Sequence, residues 1–553
     1  MRISRQLTYF TLILVLLLLT HLYILTVAYV NTTTSSIALQ AGNNWWTGTI
    51  TIKLDGSIDP PDAPVAREGN IYKLIKNIKS YGDGIIVERD NIVIDGAGHA
   101  IQGTESIREM CGVCLSGRIN VTIKNLRIEN FPFGIFLNFS SNNSIYGNII
   151  VSNKDTGIYL NHSSGNIIGE NNIKDNPFGI EIRHSYSNSI LKNEITNNWL
   201  GIHVYNSSYN KIANNNITKN GQSGIFLELT SDYNIINENN ILLITDGIVI
   251  IHSSNNVVSR NRILSEVKGF NGIRLCGALN NIIAENDIEN CGFGIYLYHH
   301  SDNNTITRNN LTGHRHIAII IEQSANNLIS KNKVKSNDLY GIELASSSSN
   351  IIINNVIEGN IFGISLDASR HHKPSSNNVI CENNISNNQV GIMVGSSHNI
   401  IYHNYFRNNT EHVHSPPGLQ NTWNDDYPSG GNYWSDHECV DKYSGPNQDK
   451  PSSDGICDKP YVINSDNVDR YPLAKPVSSI TLTPTPTATE TIIPTLTETT
   501  TPNTTPSPIS TPTRTSTLIE TSSPLPASID YAIGAIVAVI VVVLVVLALR
   551  RHR

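Results

Sequence analysis

From Cys111 to about Asn409 the hydrophobic and polar positions repeat one phrase: Gly-Ile-x-Leu, a polar corner, then Asn-x-Ile-x-x-Asn-x-Ile. Its Gly-Ile pairs begin at Gly134, Gly157, Gly179, Gly201, Gly224, Gly247, Gly272, Gly294, Gly341, Gly363 and Gly391, and Ala318-Ile319 fills the one gap. The step is mostly 22 or 23 residues. A fixed period of this size marks a solenoid, and it is too rich in Asn and too poor in Pro for paired helices. With Gly as position zero, position one is Ile135, Ile158, Ile180 and their successors, and position three is Leu137, Leu160, Ile182, Val204 and theirs. Two apolar columns flanking a variable one predict a strand whose odd positions turn inward. Beyond the corner, Ile168, Ile190 and Ile212 begin a third inner column, and Ile173, Ile195 and Ile217 a fourth. One turn is therefore two or three short strands joined by corners, and the turns coil into an all-β parallel β-helix. Roughly fourteen rungs at ~4.8 Å from Gly84 onward give a rod ~65 Å long.

Asparagines form two columns five residues apart, one through Asn166, Asn188 and Asn210, the other through Asn171, Asn193 and Asn215. Asn tolerates left-handed backbone at tight corners, and its amide bonds to the amides above and below, so both columns are structural. The lead-in is less regular. Ile71 to Tyr81 fits a helical stripe (Ile71, Leu74, Ile75, Ile78) and equally an alternating strand (Tyr72, Leu74). Either would cover the edge of the first turn.

The ends change character. Arg2 and Arg5 precede an apolar run from Tyr9 to Val30, expected to be a signal peptide or a retained anchor over 1–30. Tyr531 to Leu549 is apolar, close to the ~20 residues that cross a bilayer. Arg550, Arg551 and Arg553 follow it and would stay in the cytoplasm. The expected order is thus lead-in and cap 31–83, repeats 84–410, an Asp- and aromatic-rich cap 411–476, a Thr/Pro-rich stalk 477–528, a membrane helix 529–549 and a tail 550–553. A single-pass protein of the cell membrane follows, with the bulk of the chain outside. Sequons at Asn138, Asn206, Asn303, Asn384 and elsewhere suit an extracellular glycoprotein. The net charge of −7 is spread out, and without a basic stripe nucleic acid is not an expected partner.

Seven cysteines are present. Cys439 and Cys457 share one irregular segment and could be bridged. Cys111, Cys114, Cys276, Cys291 and Cys381 read as small core or groove residues. Cys111 and Cys114 have C-x-x-C spacing, but an offset of three in a regular strand puts them on opposite faces, and no second pair completes a zinc site.

The repeats, together with Asn91-Ile-Val-Ile-Asp-Gly-Ala-Gly98 and Gly430-Gly-Asn-Tyr-Trp-Ser-Asp436, resemble the NosD-type repeat family and its carbohydrate-binding and sugar-hydrolysis domain, in the form found on archaeal cell surfaces. The resemblance spans about Ile71 to Leu473. It implies a right-handed, single-stranded parallel β-helix. It says little about activity, because lyases, hydrolases, epimerases and binding proteins share that fold. Relatives carry Gly where Cys457 stands, a departure that favours a local Cys439–Cys457 disulfide over a borrowed metal role. The family name implies copper, for which His162 and His184 on adjacent rungs, ~5 Å apart, would be the donors, with His252 and His299 further along that column.

Chemistry belongs on the variable positions. Positions two and four of the Gly-Ile strands hold Glu181, Arg183, His203, Tyr205, Glu228, Arg274, Tyr296 and Tyr298, the expected ligand-binding face. Tyrosine rings stack on sugars while carboxylates and Arg bond their hydroxyls. Glu322, Glu343 and Asp367 follow on successive rungs. Neighbours ~8 Å apart fall within the ~6.5–9.5 Å of inverting glycosidases, yet any acid-bearing face yields such pairs, so catalysis is a weak expectation. Asp436, Asp441, Asp449, Asp454 and Asp458 offer hard oxygens for Ca2+ in the cap. Longer turns at Gly247–Gly272 and Gly363–Gly391, the latter with Arg370 to Pro374, are candidate functional loops. The leading expectation is a surface β-helix that binds polysaccharide or glycan. The alternatives are a structural or adhesive envelope protein, a polysaccharide lyase, hydrolase or epimerase, and NosD-like copper handling.

Overall fold

The computed structural model describes residues 45–104, 110–367 and 373–476. The expected signal segment, stalk, membrane helix and tail lie outside these residues, as does most of the Arg370–Pro374 bulge. No helix among the described residues is long and apolar enough to cross a membrane.

The described chain is a right-handed parallel β-helix made of three long sheets. Each turn contributes one strand to each sheet. In one turn these are Thr156–Asn161, which carries the Gly-Ile phrase, then Ile167–Gly169, then Asn172–Lys174. Equal positions meet equal positions: Ile158 pairs with Ile135 and Ile180, Ile168 with Ile145 and Ile190, and Ile173 with Ile150 and Ile195. All nine are fully buried. The four apolar columns fill the lumen because parallel pairing in register superposes every Ile on the Ile of the next turn.

Stacking starts ahead of Gly84. Trp45–Thr47 pairs in parallel with Asn77–Ser80, and Ile50–Ile52 with Ile85–Val87. Ile71–Leu74 and Asn77–Ser80 are strands. Tyr72, Leu74 and Ile78 point inward while Ile71 and Ile75 are exposed, so the alternating pattern prevails over the helical stripe. Pairing of Ile71–Lys73 with Val93–Asp95 supplies the ladder that selects the extended form.

The corners carry more order than the two Asn columns suggest. Asn193 Oδ1 accepts from the backbone N–H of Asn171 at 3.1 Å and from its Nδ2 at 3.0 Å. Asn193 in turn donates through Nδ2 to Asn215 Oδ1 and to the Ile168 carbonyl. Corner N–H groups buried by the next turn are thereby paired. A third Asn ladder runs through Asn153, Asn176, Asn198 and Asn220, and resumes at Asn337, Asn360, Asn388 and Asn409. A serine ladder does the same from Ser140 through Ser163, Ser185 and Ser207 to Ser231.

The glycine column is set by contact rather than by φ. A Cβ on Gly157 would stand 2.6 Å from the Gly179 carbonyl oxygen. The ladder register skips each glycine, pairing Phe133 with Thr156 and then Ile135 with Ile158. Residues at positions minus one and two consequently share the outer face, as the stacked rings of Phe133 and Phe136 show at 5.4 Å. This corrects the reading of Cys111 and Cys114 as opposite-facing. The break at Gly112 brings them to one face, where they are bonded to each other.

After Asn409 the ladders continue into the cap. Asn421 and Asn432 extend two of them, and the hairpin over Tyr461–Asp469 ends them. There Asn467 accepts from Asn421 N–H, and Asp469 from Asn432 N–H at 2.7 Å. Trp434 stacks between Phe406 and Tyr461 at 4.4 and 4.2 Å, closing the lumen. Burial outweighs the donors around Asp469 and pushes its carboxyl up to about 6. Cys439 and Cys457 are bonded within this cap.

Candidate functional site

The outer face of the Gly-Ile sheet places polar side chains in two parallel rows. Position four gives Arg183, Tyr205 and Glu228 on three successive rungs, and position two gives Glu181, His203 and Phe226 beside them. In the second row Glu181 and His203 are buried, 4% and 5% exposed, and Phe226 is half-buried. The first row is half-exposed, with 39% of the Arg183 and 27% of the Glu228 side chain open.

The buried row locks the open one. His203 lies between the rings of Phe178 and Phe226, at 5.7 and 5.5 Å and nearly parallel to both. Its Nδ1 is 3.3 Å from Glu181 Oε1 and its Nε2 is 3.1 Å from Glu228 Oε1. Arg183 donates from Nε to Glu181 Oε1 at 2.7 Å and lies over the Tyr205 ring at 5.0 Å. Thr156, fully buried at position minus one, donates its hydroxyl to Glu181 Oε2 at 3.3 Å. Burial pushes the Glu181 carboxyl up. The His203 hydrogen bond and the Arg183 guanidinium outweigh it and hold Glu181 below the usual carboxylate range. Burial and then the charge of Glu181 raise the neighbouring Asp155.

The sequence places five of these residues on one face but misses what holds them. Thr156 and Phe178 stand at position minus one, which the break at glycine turns outward. Aromatic pairs at positions minus one and two, Phe133 with Phe136 and Phe293 with Tyr296, are traces of this in the sequence.

The other expected face residues form separate groups. Arg274 pairs with Asp246 at 2.9 Å and donates to the Tyr298 hydroxyl at 3.1 Å, and Tyr296 stacks on Tyr298 at 4.8 Å. The Tyr296 hydroxyl bonds Glu322. Glu322 and Asp367 occupy position four two rungs apart with Ala345 between them, whereas Glu343 occupies position two.

In the cap the carboxylates are turned toward N–H donors of their own loop. Asp441 accepts from Ser453, Asp454 and Gly455, Asp458 from Lys442 and Tyr443, and Asp454 from Gly445, Gln448 and Ile456. Asp436 bonds Tyr461 and His412, and Asp449 is exposed. Asp441, Asp454 and Asp458 are thus held within their own loop by hydrogen bonds to its donors.

Copper does not fit the residues expected for it. His162 and His184 stack face to face at 4.9 Å, which points their nitrogens along parallel planes rather than at one centre. Nδ1 of His162 is bonded to Asn161 and Nδ1 of His184 to Asn206. His252 and His299 are exposed at their corners. Among the described residues, Asp83, Cys111 and Cys114 are the one group whose donor atoms converge within 4.8 Å. Its two sulfurs are bonded to each other and offer no thiolate.

Solved structures similar to this chain include three β-helix proteins. A mutant of the periplasmic alginate epimerase AlgG is 16% identical, covering 58% of this chain and 79% of its own, with a TM-score of 0.34. PfbA, a surface adhesin of Streptococcus pneumoniae, is 11% identical over 53% of this chain and 85% of its own, with a TM-score of 0.32. A mutant tailspike protein of E. coli bacteriophage HK620, in complex with a pentasaccharide, is 9% identical over 68% and 71%, with a TM-score of 0.38. Similarities at this level bear on no functional reading. No curated protein matches the sequence. The profile of the family described as "Periplasmic copper-binding protein (NosD)" matches residues 68–243, 216–318 and 317–439, and these matches run through nearly the whole described coil, so the chain belongs to the NosD family.

Proposed function

We propose that the chain is a glycan-binding protein of the cell exterior, anchored by its C-terminal apolar run, and that the outer face of the Gly-Ile sheet receives the sugar. The observation that carries this reading is the locked pair of rows. Arg183, Tyr205 and Glu228 are open to solvent, while Glu181, His203, Phe178 and Phe226 hold them from beneath. A phenol ring flanked by a guanidinium and a carboxylate gives a sugar one face to stack on and donors and acceptors at its rim. Because the three side chains are already fixed, little rotamer entropy is lost on binding. A straight sheet face also suits an extended polymer in shape. Placement outside the cell is supported by the apolar runs of Tyr9–Val30 and Tyr531–Leu549 and by the Thr/Pro-rich segment before the second.

The test is a panel of immobilised polysaccharides probed with the purified full-length chain. At least one is expected to bind, and Tyr205→Ala and Arg183→Ala are each expected to weaken it about tenfold, the equivalent of ~1.4 kcal/mol. Binding that neither substitution alters places the sugar elsewhere and sinks this assignment.

A further inference from the structure

The row Arg183–Tyr205–Glu228 carries a fixed cation, a phenol and a carboxyl, and two of them are tied to the buried row, Arg183 through Glu181 and Glu228 through His203. His203 has a carboxylate oxygen on each ring nitrogen, Glu181 at 3.3 Å and Glu228 at 3.1 Å. Both contacts are hydrogen bonds only if the imidazole holds a proton on each nitrogen, or if the second proton sits on Glu228. The geometry thus links a buried imidazole directly to a carboxyl that solvent reaches. Besides fixing the open row, this arrangement places a carboxyl that solvent reaches where acid–base catalysis can use it. Arg183 meets Glu181 through Nε, and among the described residues its two η nitrogens make no hydrogen bond. That edge is shaped for a planar carboxylate. Tyr205 stands between Arg183 and Glu228 in register, one rung from each.

We propose that this row cleaves a uronic-acid-containing polysaccharide by elimination. The proposal rests on the glycan-binding reading and adds a substrate class and a reaction to it. Arg183 pairs with the sugar carboxylate and withdraws the charge that opposes loss of the adjacent C5 proton. The Glu228 carboxylate takes that proton. The C5–H electron pair becomes the C4=C5 double bond, and the C4–O bond breaks with its electrons leaving on oxygen. The departing oxygen takes a proton from the Tyr205 hydroxyl, and the proton on Glu228 returns to Tyr205 through solvent. One chain becomes two, the new non-reducing end is unsaturated, and the balance needs no co-reactant. Glu181 and His203 do not touch the sugar. They are positioning residues that fix Glu228: in the reacting form the imidazole donates to the Glu228 carboxylate, whose other oxygen is the one that takes the C5 proton.

The experiment follows the purified full-length chain with polyuronates and neutral polysaccharides, recording the ultraviolet absorbance of the C4=C5 bond, new reducing ends and binding. Absorbance is expected to rise with polyuronates alone. Glu228→Gln and Tyr205→Phe are expected to slow it by about 100-fold or more while binding stays within about threefold. His203→Gln is expected to lower kcat with little change in KM and to move the acidic limb of the pH profile, which a purely structural role would not do. Retained circular dichroism and thermal midpoint certify each variant, and Glu228→Asp serves as the conservative partner with partial activity. Binding of polyuronate without absorbance, or reducing ends without absorbance, overturns the elimination and leaves the glycan-binding reading standing. Absence of binding to every polysaccharide overturns both.

Discussion

Asn193 shows what one side chain does at a corner of this coil. Its Oδ1 serves the N–H and Nδ2 of Asn171, and its Nδ2 serves Ile168 and Asn215. Asn193→Ala strands several buried polar groups at ~1–3 kcal/mol each, so a loss of about 3 kcal/mol or more is expected, read as a lowered thermal midpoint. His314 is the instructive exception. It stands in the gap of the third ladder, where its Nδ1 accepts from Cys291 N–H at 3.2 Å and its backbone N–H donates to Asn337 Oδ1. Burial, with the charge of Lys268, drives the imidazole down to about 3 from an ordinary 6.5. Between those pH values the unfolded chain binds a proton that the folded one does not. The stability tied to His314 is therefore complete above about 6.5 and is lost as the pH falls toward 3. Asp469, raised to about 6 from 3.8, acts in the opposite sense, holding a proton in the fold that the unfolded chain releases. His314→Asn is expected to shrink the drop in thermal midpoint between neutral and pH ~5 relative to the parent chain. An unchanged drop would assign acid sensitivity to other groups.

At the scale of the strand, the glycine column decides how closely turns approach. A Cβ on Gly201 would lie 2.3 Å from the Gly224 carbonyl oxygen and 3.1 Å from Asn220 Nδ2. Gly201→Ala is expected to cost ~1–3 kcal/mol, visible as reduced soluble yield and an earlier thermal transition. Ala318 occupies the same position and is accommodated, so the column can adapt where its neighbours have changed with it, which a single substitution does not provide. The period, the inward Ile columns and two Asn ladders are all legible in the sequence, because identical residues at fixed spacing record in-register stacking. The third ladder is hidden since its repeat is interrupted between Asn220 and Asn337, a gap that includes Cys291 and His314. The bonded Cys111 and Cys114 are hidden for a different reason: strand alternation predicts opposite faces, and only the break at Gly112 reverses it.

At the scale of the molecule, the cap over residues 415–476 covers the last turn. Trp434 seals Phe406, while Asn467 and Asp469 take the N–H groups at which two ladders would otherwise end open. An uncapped turn presents a strand edge and an apolar lumen to any other chain. A secreted form ending at residue 414 is expected to associate into larger species than one ending at 476, measured by light scattering after size-exclusion chromatography. Equal masses for the two would show that the final rung protects itself.

The sequence by itself determined the coil, its period and which residues fill its lumen, since these depend on local alternation repeated at constant spacing. It also named the outer-face residues at positions two and four, though not those at position minus one. Only the tertiary structure decided which of them work together. Glu181, His203 and Glu228 lie 22 or more residues apart along the chain, and their hydrogen bonds exist because three turns stack in register. That stacking turns a list of variable positions into an open row held by a buried one.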